Sequence, residues 1–354
     1  MSGALASVAS VASVASVASA AASGCAALVM SATTTFVVGR WAIPRLGAAG
    51  WRQPVRHEDC PPLRSLQARK QGTPSMGGVF VLASALLVIV SLVGMHDPAS
   101  WLLVSVIVGF GAIGLADDVL KLRGDNARGL RSRPKLFAAL GLAAVLGWLL
   151  PDQPTGTHLI AVPWTSLMWH PGWLWIPFVT LVVAGCAHAV NLTDGMDGLA
   201  AGLLAVAFLA VGAVSLLRVG AAEGSAGSSS MVVWGWCMGL AGACLGFLWF
   251  NAHPAVVFMG DVGALGLGAA LGTLAVMAQA GLVLAIIGGV FVAEAVSVML
   301  QVASFKWRKR RIFRVAPLHH HFQVGGVPET TLVARFWIMG ALFGAAGILS
   351  MVQP

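Results

Sequence analysis

WLLVSVIVGFGAIGLADDVLK, residues 101–121, decides the fold: an almost uncharged apolar run ends in two adjacent carboxylates, Asp117 and Asp118, followed by Lys121. A run of this length suits a hydrocarbon core of about 30 Å, which takes roughly 20 helical residues. An ionised Asp at the edge of hydrocarbon costs a few kcal/mol unless it meets water, a cation or a partner, so such acids are functional candidates. Successive helical residues point about 100° apart. Asp117 and Asp118 are therefore expected to reach one atom only if the helix has ended, and otherwise to do different jobs. The plainer reading is a surface ion pair between Lys121 and one of them, at i+4 or i+3.

Outward from this stretch the same pattern repeats. The 354 residues are 58% hydrophobic and 10% charged, with a mean hydropathy of +0.87, whereas a soluble globule carries about 25% charged residues. The chain reads as an all-α polytopic membrane protein. Spans fall at 21–39, 76–94, 101–119, 134–150, 173–192, 199–217, 231–250, 262–278, 282–304 and 332–351, about ten in all. Nineteen of the twenty-one Lys and Arg sit in the connections after odd-numbered spans. By the positive-inside rule those connections are cytoplasmic and both termini lie on the outer, periplasmic side. The net charge of +8 is thus a topology signal and an attraction for anionic headgroups or phosphorylated substrates; no nucleic-acid motif accompanies it. Cys25, Cys60, Cys186, Cys237 and Cys244 show no metal spacing and read as packing residues.

Residues 1–20 form a low-complexity segment with a Ser-Val-Ala repeat from 7 to 20, and no Lys or Arg precedes Arg40, so the basic start of a signal peptide is missing. Residues 21–354 read as one transmembrane domain.

The chemistry-bearing stretches lie at the odd-to-even connections. KQGTPSMGG, from Lys70 through Ser75 to Gly78, opens span 2 with glycines, a lysine and a helix start, a pattern that suits a phosphate but that, taken alone, reads more simply as a Gly/Pro turn that starts a helix. NLTDGMDG places Asn191, Asp194 and Asp197 at every third residue, two acids and an amide with no local cation. NAHPAVVFMGDVGA carries Asp261 in a Gly-rich turn at a helix start, suited to holding a metal beside phosphate oxygens, and Phe258, a core aromatic or a platform for a planar base. In span 9, Glu294, Ser297, Gln301 and Ser304 form a polar stripe; Glu294 reads as a structural partner, and Gln301 lies near enough the cytoplasmic end to touch a ligand. A basic and aromatic loop follows, ending in His319, His320 and His321, better suited to donate to phosphate than to converge on zinc. Gathered on one membrane face, these groups suit metal-assisted transfer of a phosphorylated group to or from a lipid phosphate.

GTPSMGG, LADDVLK, NLTDGMDGLA, NAHPAVVFMGDVGALGLG and RVAPLHHHFQVGGVPE, followed by ARFWI, in this order, resemble the phospho-N-acetylmuramoyl-pentapeptide transferase family over roughly residues 65–350. The resemblance implies transfer of phospho-MurNAc-pentapeptide from UDP-MurNAc-pentapeptide to undecaprenyl phosphate, giving lipid I and UMP. It also implies Mg2+, a homodimer and a bacterial inner-membrane location with the site facing the cytoplasm. By motif, Asp117, Asp118 and Asp261 are the implied essential acids, with Asp261 and Asp117 on the metal. Lys70, Ser75, Asn191, Asp194, Asp197, Phe258, Gln301, His319, His320 and His321 are implied to line the substrate pocket. Attack is either direct, with Asp117 as base, or through an aspartyl intermediate. Val262 and Ala264 stand where the family pattern has Thr and Ser, Gln323 replaces a Glu, Ala139 a Gln, and Ser75 a Thr. The nearest rival is the related polyprenyl-phosphate N-acetylhexosamine-1-phosphate transferase branch, which shares the acidic motifs. An ion-coupled transporter would place its acids near the midplane and show internal repeats; here every acid of these motifs except Glu294 sits at a span end, and no repeat is visible.

Overall fold

A computed structural model of the chain describes residues 2–52, 70–95, 97–123, 129–150, 158–221 and 225–352. Arg56, Arg64, Arg69, Arg128 and Cys60, which entered the charge and cysteine readings, lie outside them.

A helix falls on each expected span. In chain order they are α1 (Ser2–Ala48), α2 (Gly78–Val93), α3 (Pro98–Arg123), α4 (Ser132–Leu149), α5 (Trp175–Thr193), α6 (Leu199–Ala221), α7 (Ser225–Asn251), α8 (Gly260–Met277), α9 (Leu284–Ile287), α10 (Gly289–Arg308), α11 (Leu318–Val324) and α12 (Glu329–Leu349). Among the described residues, eight are long and apolar enough to cross a membrane. Of the other two expected spans, α2 has 16 residues, and α4 carries Arg133 and Lys135 in its first turn. Helix α1 continues back through the Ser-Val-Ala repeat.

Two features depart from expectation. The stretch read as a single span over 282–304 is divided: α9 stops at Ile287, and α10 starts at Gly289 and runs on to Arg308. The Gly288-Gly289 pair between them is a poor place to propagate a helix. Between α4 and α5 a two-stranded antiparallel hairpin, β1 (Ile160–Ala161) and β2 (Met168–Trp169), fills a connection that showed no strand signal. Cys237 and Cys244 are buried in the core as expected, whereas Cys25 is exposed.

Helix α8 is the axis of the bundle. Every residue from Val262 to Val276 is buried, as an all-round apolar helix requires, and α2, α3 and α5 pack directly on it. Small residues permit the approach. A Cβ at Gly78 would stand 2.2 Å from the Gly263 backbone nitrogen, and one at Gly114 2.3 Å from the Asp261 carbonyl oxygen. The first turn of α8, with Asp261, is thereby fixed against the end of α3, with Asp117 and Asp118.

Candidate active site

Backbone pairing builds the floor of the site. The stretch before α2 is laced to the stretch before α8: Phe258 N–H donates to Pro74 O, Gly77 N–H to Phe258 O and Gly78 N–H to Met259 O, each at 2.8 Å. Gly260 turns the chain into α8 with φ +73°, where a Cβ would also meet Asp118 Oδ2 at 2.7 Å. Thus the glycines of both motifs serve close backbone approach.

A cleft of about 480 Å³ opens above this floor. At one end Asp117, Asp118 and Asp261 bring carboxylate oxygens within 4.8 Å of one another, near enough to share a metal ion. Helix α3 continues past both aspartates to Arg123, so the expectation that they converge only where the helix ends does not hold. Their side chains bend toward α8 from adjacent faces and keep different partners. Asp117 Oδ1 accepts from Leu130 N–H at 2.6 Å, and Asp118 Oδ2 accepts from Val262 N–H at 3.2 Å. Nor is Lys121 a simple surface partner. Its side chain is 10% exposed and its ammonium meets Asp117, Asp118 Oδ1 at 3.6 Å and Asp261 Oδ1 at 2.9 Å. Lys135, from the first turn of α4, pairs with Asp261, lies 3.4 Å from Asp117 Oδ2 and donates to Asn191 Oδ1 at 3.5 Å.

The other end is a second charged knot. Lys70 Nζ lies 2.7 Å from Asp197 Oδ1 and 2.5 Å from Glu329 Oε1. Asp197 Oδ2 meets His253 Nδ1 at 3.0 Å and accepts from Ala255 N–H at 3.1 Å. Asn251 ties the neighbouring turn, accepting from Gly198 N–H and donating to Val257 O. Asp197, His253 and Glu329 are close enough to share a cation too, but the Lys70 ammonium already bridges the two acids. Ser75, Asp194, Phe258 and His320 line the wall between the ends. Burial, and then the charges of Asp261 and Asp118, push the Asp194 carboxyl up to about 7.

Gln301, His319 and His321 do not line this cleft. Gln301 clamps the loop after α10, accepting from Ile312 and Phe313 N–H and donating to Phe313 O, all at 3.0 Å. His319 is buried against Glu294, whose carboxylate accepts its backbone N–H at 3.1 Å and faces its Nδ1 at 3.2 Å. His321 Nδ1 accepts from Arg314 N–H at 3.1 Å. The structural role read for Glu294 matches this geometry.

With the cleft in view, comparison with known proteins places the chain. The glycosyl transferase family 4 model matches residues 99–279, and the phospho-N-acetylmuramoyl-pentapeptide-transferase signature 1 matches residues 70–82, from Lys70 into α2. A phospho-N-acetylmuramoyl-pentapeptide-transferase of Dichelobacter nodosus is 46% identical over 80% of this chain and 81% of its own. One of Geobacter sp. strain M21 is 41% identical over 92% and 91%. One of Heliobacterium modesticaldum is 40% identical over 91% and 96%. The chain belongs to the phospho-N-acetylmuramoyl-pentapeptide-transferase family. As a member of it, the chain carries at this site five side chains that sequence reasoning passed over or read otherwise: Lys121, Lys135 and Asn251 line the cleft, and His253 and Glu329 stand behind it against Asp197 and Lys70. Lys135 counted among the charges that orient the chain in the membrane, and Glu329 entered only as part of the stretch that carries the family resemblance. Only the polarity of Asn251 and His253 beside the Asp261 motif gave any signal.

Proposed function

We propose that this cleft is where the chain carries out the reaction of its family, moving phospho-MurNAc-pentapeptide from UDP-MurNAc-pentapeptide to undecaprenyl phosphate with release of UMP and formation of lipid I. The observation that carries the reading is the convergence of Asp117, Asp118 and Asp261 with Lys121 and Lys135 at the ends of membrane helices. The donor set suits a hard divalent cation: three carboxylates, oxygen only, whose charge two ammonium groups leave one negative unit short of balance. Asp261 and Asp117, with Asp118, would hold Mg2+, which when bound supplies electrostatic stabilisation of charge developing on phosphate oxygens.

The protein's own groups then have distinct tasks. Lys121 and Lys135 hold the pyrophosphate oxygens and keep them beside the carboxylates. Asp117 takes any proton remaining on the lipid phosphate, whose oxygen attacks the β-phosphorus directly. One P–O bond forms, the P–O bond to UMP breaks, and UMP leaves with its electron pair. Phe258 offers a face to the nucleobase, and Ser75, Asn191, Asp194, Asp197 and His320 bind and orient the nucleotide sugar. Gln301, His319 and His321 act behind them by holding α11, which carries His320, and the loop that leads into it.

Lys70, Lys121 and Lys135 line the cleft, and their place at the odd-to-even connections supports a cytoplasm-facing site. Ten crossings, with α2 and α4 completing the eight longer spans, would put both termini outside; a homodimer in the bacterial inner membrane belongs to the same reading. The 70–82 signature favours the muramoyl-pentapeptide branch over the amino-sugar branch. The test is a choice of donors: purified protein with Mg2+ and undecaprenyl phosphate is expected to release UMP from UDP-MurNAc-pentapeptide and not from UDP-N-acetylglucosamine. The opposite preference would move the chain to the sister branch.

A further inference from the structure

Glu329 is the first residue of the last helix, it does not line the cleft, and its side chain is only 11% exposed. Three separate segments nevertheless converge on its carboxylate. Oε1 receives the Lys70 ammonium at 2.5 Å and the Asp197 backbone N–H at 2.8 Å. Oε2 accepts from Gln323 Nε2 at 3.3 Å, and Gln323 Oε1 in turn faces His320 Nδ1 at 3.3 Å. So the stretch before α2, the turn between α5 and α6, and α11 are all referred to one part-buried acid. Two charged hydrogen bonds accepted by a single oxygen, one from a lysine and one from a peptide N–H, fix position far more tightly than either alone.

Lys70 and Asp197 line the cleft, and Lys70 bridges Asp197 and Glu329. Remove Glu329, and the ammonium keeps one carboxylate, the Asp197 N–H loses its acceptor, and the amide that faces His320 loses its anchor. We infer that Glu329 is a positioning residue for the nucleotide-sugar end of the cleft, acting through Lys70 and the Asp197 turn. This rests on the reading of the cleft as a nucleotide-sugar site. It predicts a loss confined to one substrate, because the acidic centre of Asp117, Asp118 and Asp261 makes no contact with Glu329.

The test is a double-mutant cycle on the full-length protein in detergent. Glu329→Ala is expected to raise KM for UDP-MurNAc-pentapeptide roughly ten- to hundredfold, the scale on which groups behind ligand-binding side chains act, with KM for undecaprenyl phosphate unchanged. Glu329→Gln, which keeps an acceptor for the Asp197 N–H but drops the charge facing Lys70, is expected between the two and keeps the test alive if the alanine variant unfolds. Lys70→Ala combined with Glu329→Ala is expected to lose little more than the worse single variant. Full additivity, equal losses for both substrates, or wild-type KM in both Glu329 variants would overturn the proposal. UDP binding by calorimetry, which needs no turnover, separates the two layers. A wild-type protein that binds no UDP sinks the nucleotide reading itself, whereas normal wild-type binding with unaltered Glu329 variants sinks only the role given to Glu329.

Discussion

The ammonium of Lys121 stands 2.9 Å from Asp261 Oδ1, joining the C-terminal end of α3 to the first turn of α8 across the acidic centre. The same ammonium reaches Asp117 and Asp118, so on the proposed reading lysine and a divalent cation would compete for one set of oxygens. Lys121→Gln is therefore expected to bind Mg2+ or Mn2+ more tightly by titration calorimetry, by several-fold, while turnover falls at least tenfold because a phosphate-holding cation is gone. Weaker metal binding in the variant would show that Lys121 supports the ion rather than displacing it.

Gly114 sets the spacing of the two helices that carry the acids. An added methyl would lie 2.3 Å from the Asp261 carbonyl oxygen, and backbone cannot yield as a side-chain tip does. Gly114→Ala is expected to cost about 1–3 kcal/mol, read as a lower unfolding temperature in detergent, and to depress turnover further than its stability loss explains. An unchanged Tm with full activity would show that α3 and α8 tolerate a wider separation.

Asp194 gives the chain a pH signature. Its carboxyl is pushed from an ordinary 3.8 up to about 7, first by burial and then by Asp261 and Asp118. Between roughly pH 4 and 7 the folded state retains a proton that the unfolded chain has released. Stability from this group is thus complete below the lower value and is lost as pH rises through the higher one. Asp194→Asn, which cannot ionise, is expected to gain in Tm relative to the wild type as pH climbs from 4 to 7, and then to hold a constant difference, in metal-free detergent. A difference that shrinks over that window would contradict the raised value.

Gln301 makes three hydrogen bonds to the loop after α10. Gln301→Ala leaves those backbone groups without partners, a loss of about 1–3 kcal/mol. Hydrogen exchange should quicken at residues 309–317 and leave α8 untouched, with turnover reduced rather than abolished. Unchanged exchange in that loop would remove the clamp.

How far the chain could be read unaided follows from what its residues need. Apolar length located a helix at every expected span, since hydrocarbon admits little else, and Asp117, Asp118 and Asp261 stood out because acids at span ends are costly. The Gly288-Gly289 break and the hairpin at 160–169 escaped, being local features too short for periodicity to register. Lys135 and Glu329 escaped for a different reason. Each sits in a first helical turn where charge is commonplace, and its importance comes from partners far along the chain, Asp261 for one and Lys70 for the other. Gln301 shows the converse: a polar residue near the right membrane face turned its amide to the loop and not to the cleft.

The account stands most directly on lipid I formation by Asp117→Asn, Asp118→Asn and Asp261→Asn proteins that retain the wild-type unfolding temperature. With Mg2+, labelled UDP-MurNAc-pentapeptide and undecaprenyl phosphate, each variant is predicted to fall on the order of a thousandfold below wild type. A folded variant of any of the three that makes lipid I at near wild-type rate would contradict the account of one shared centre.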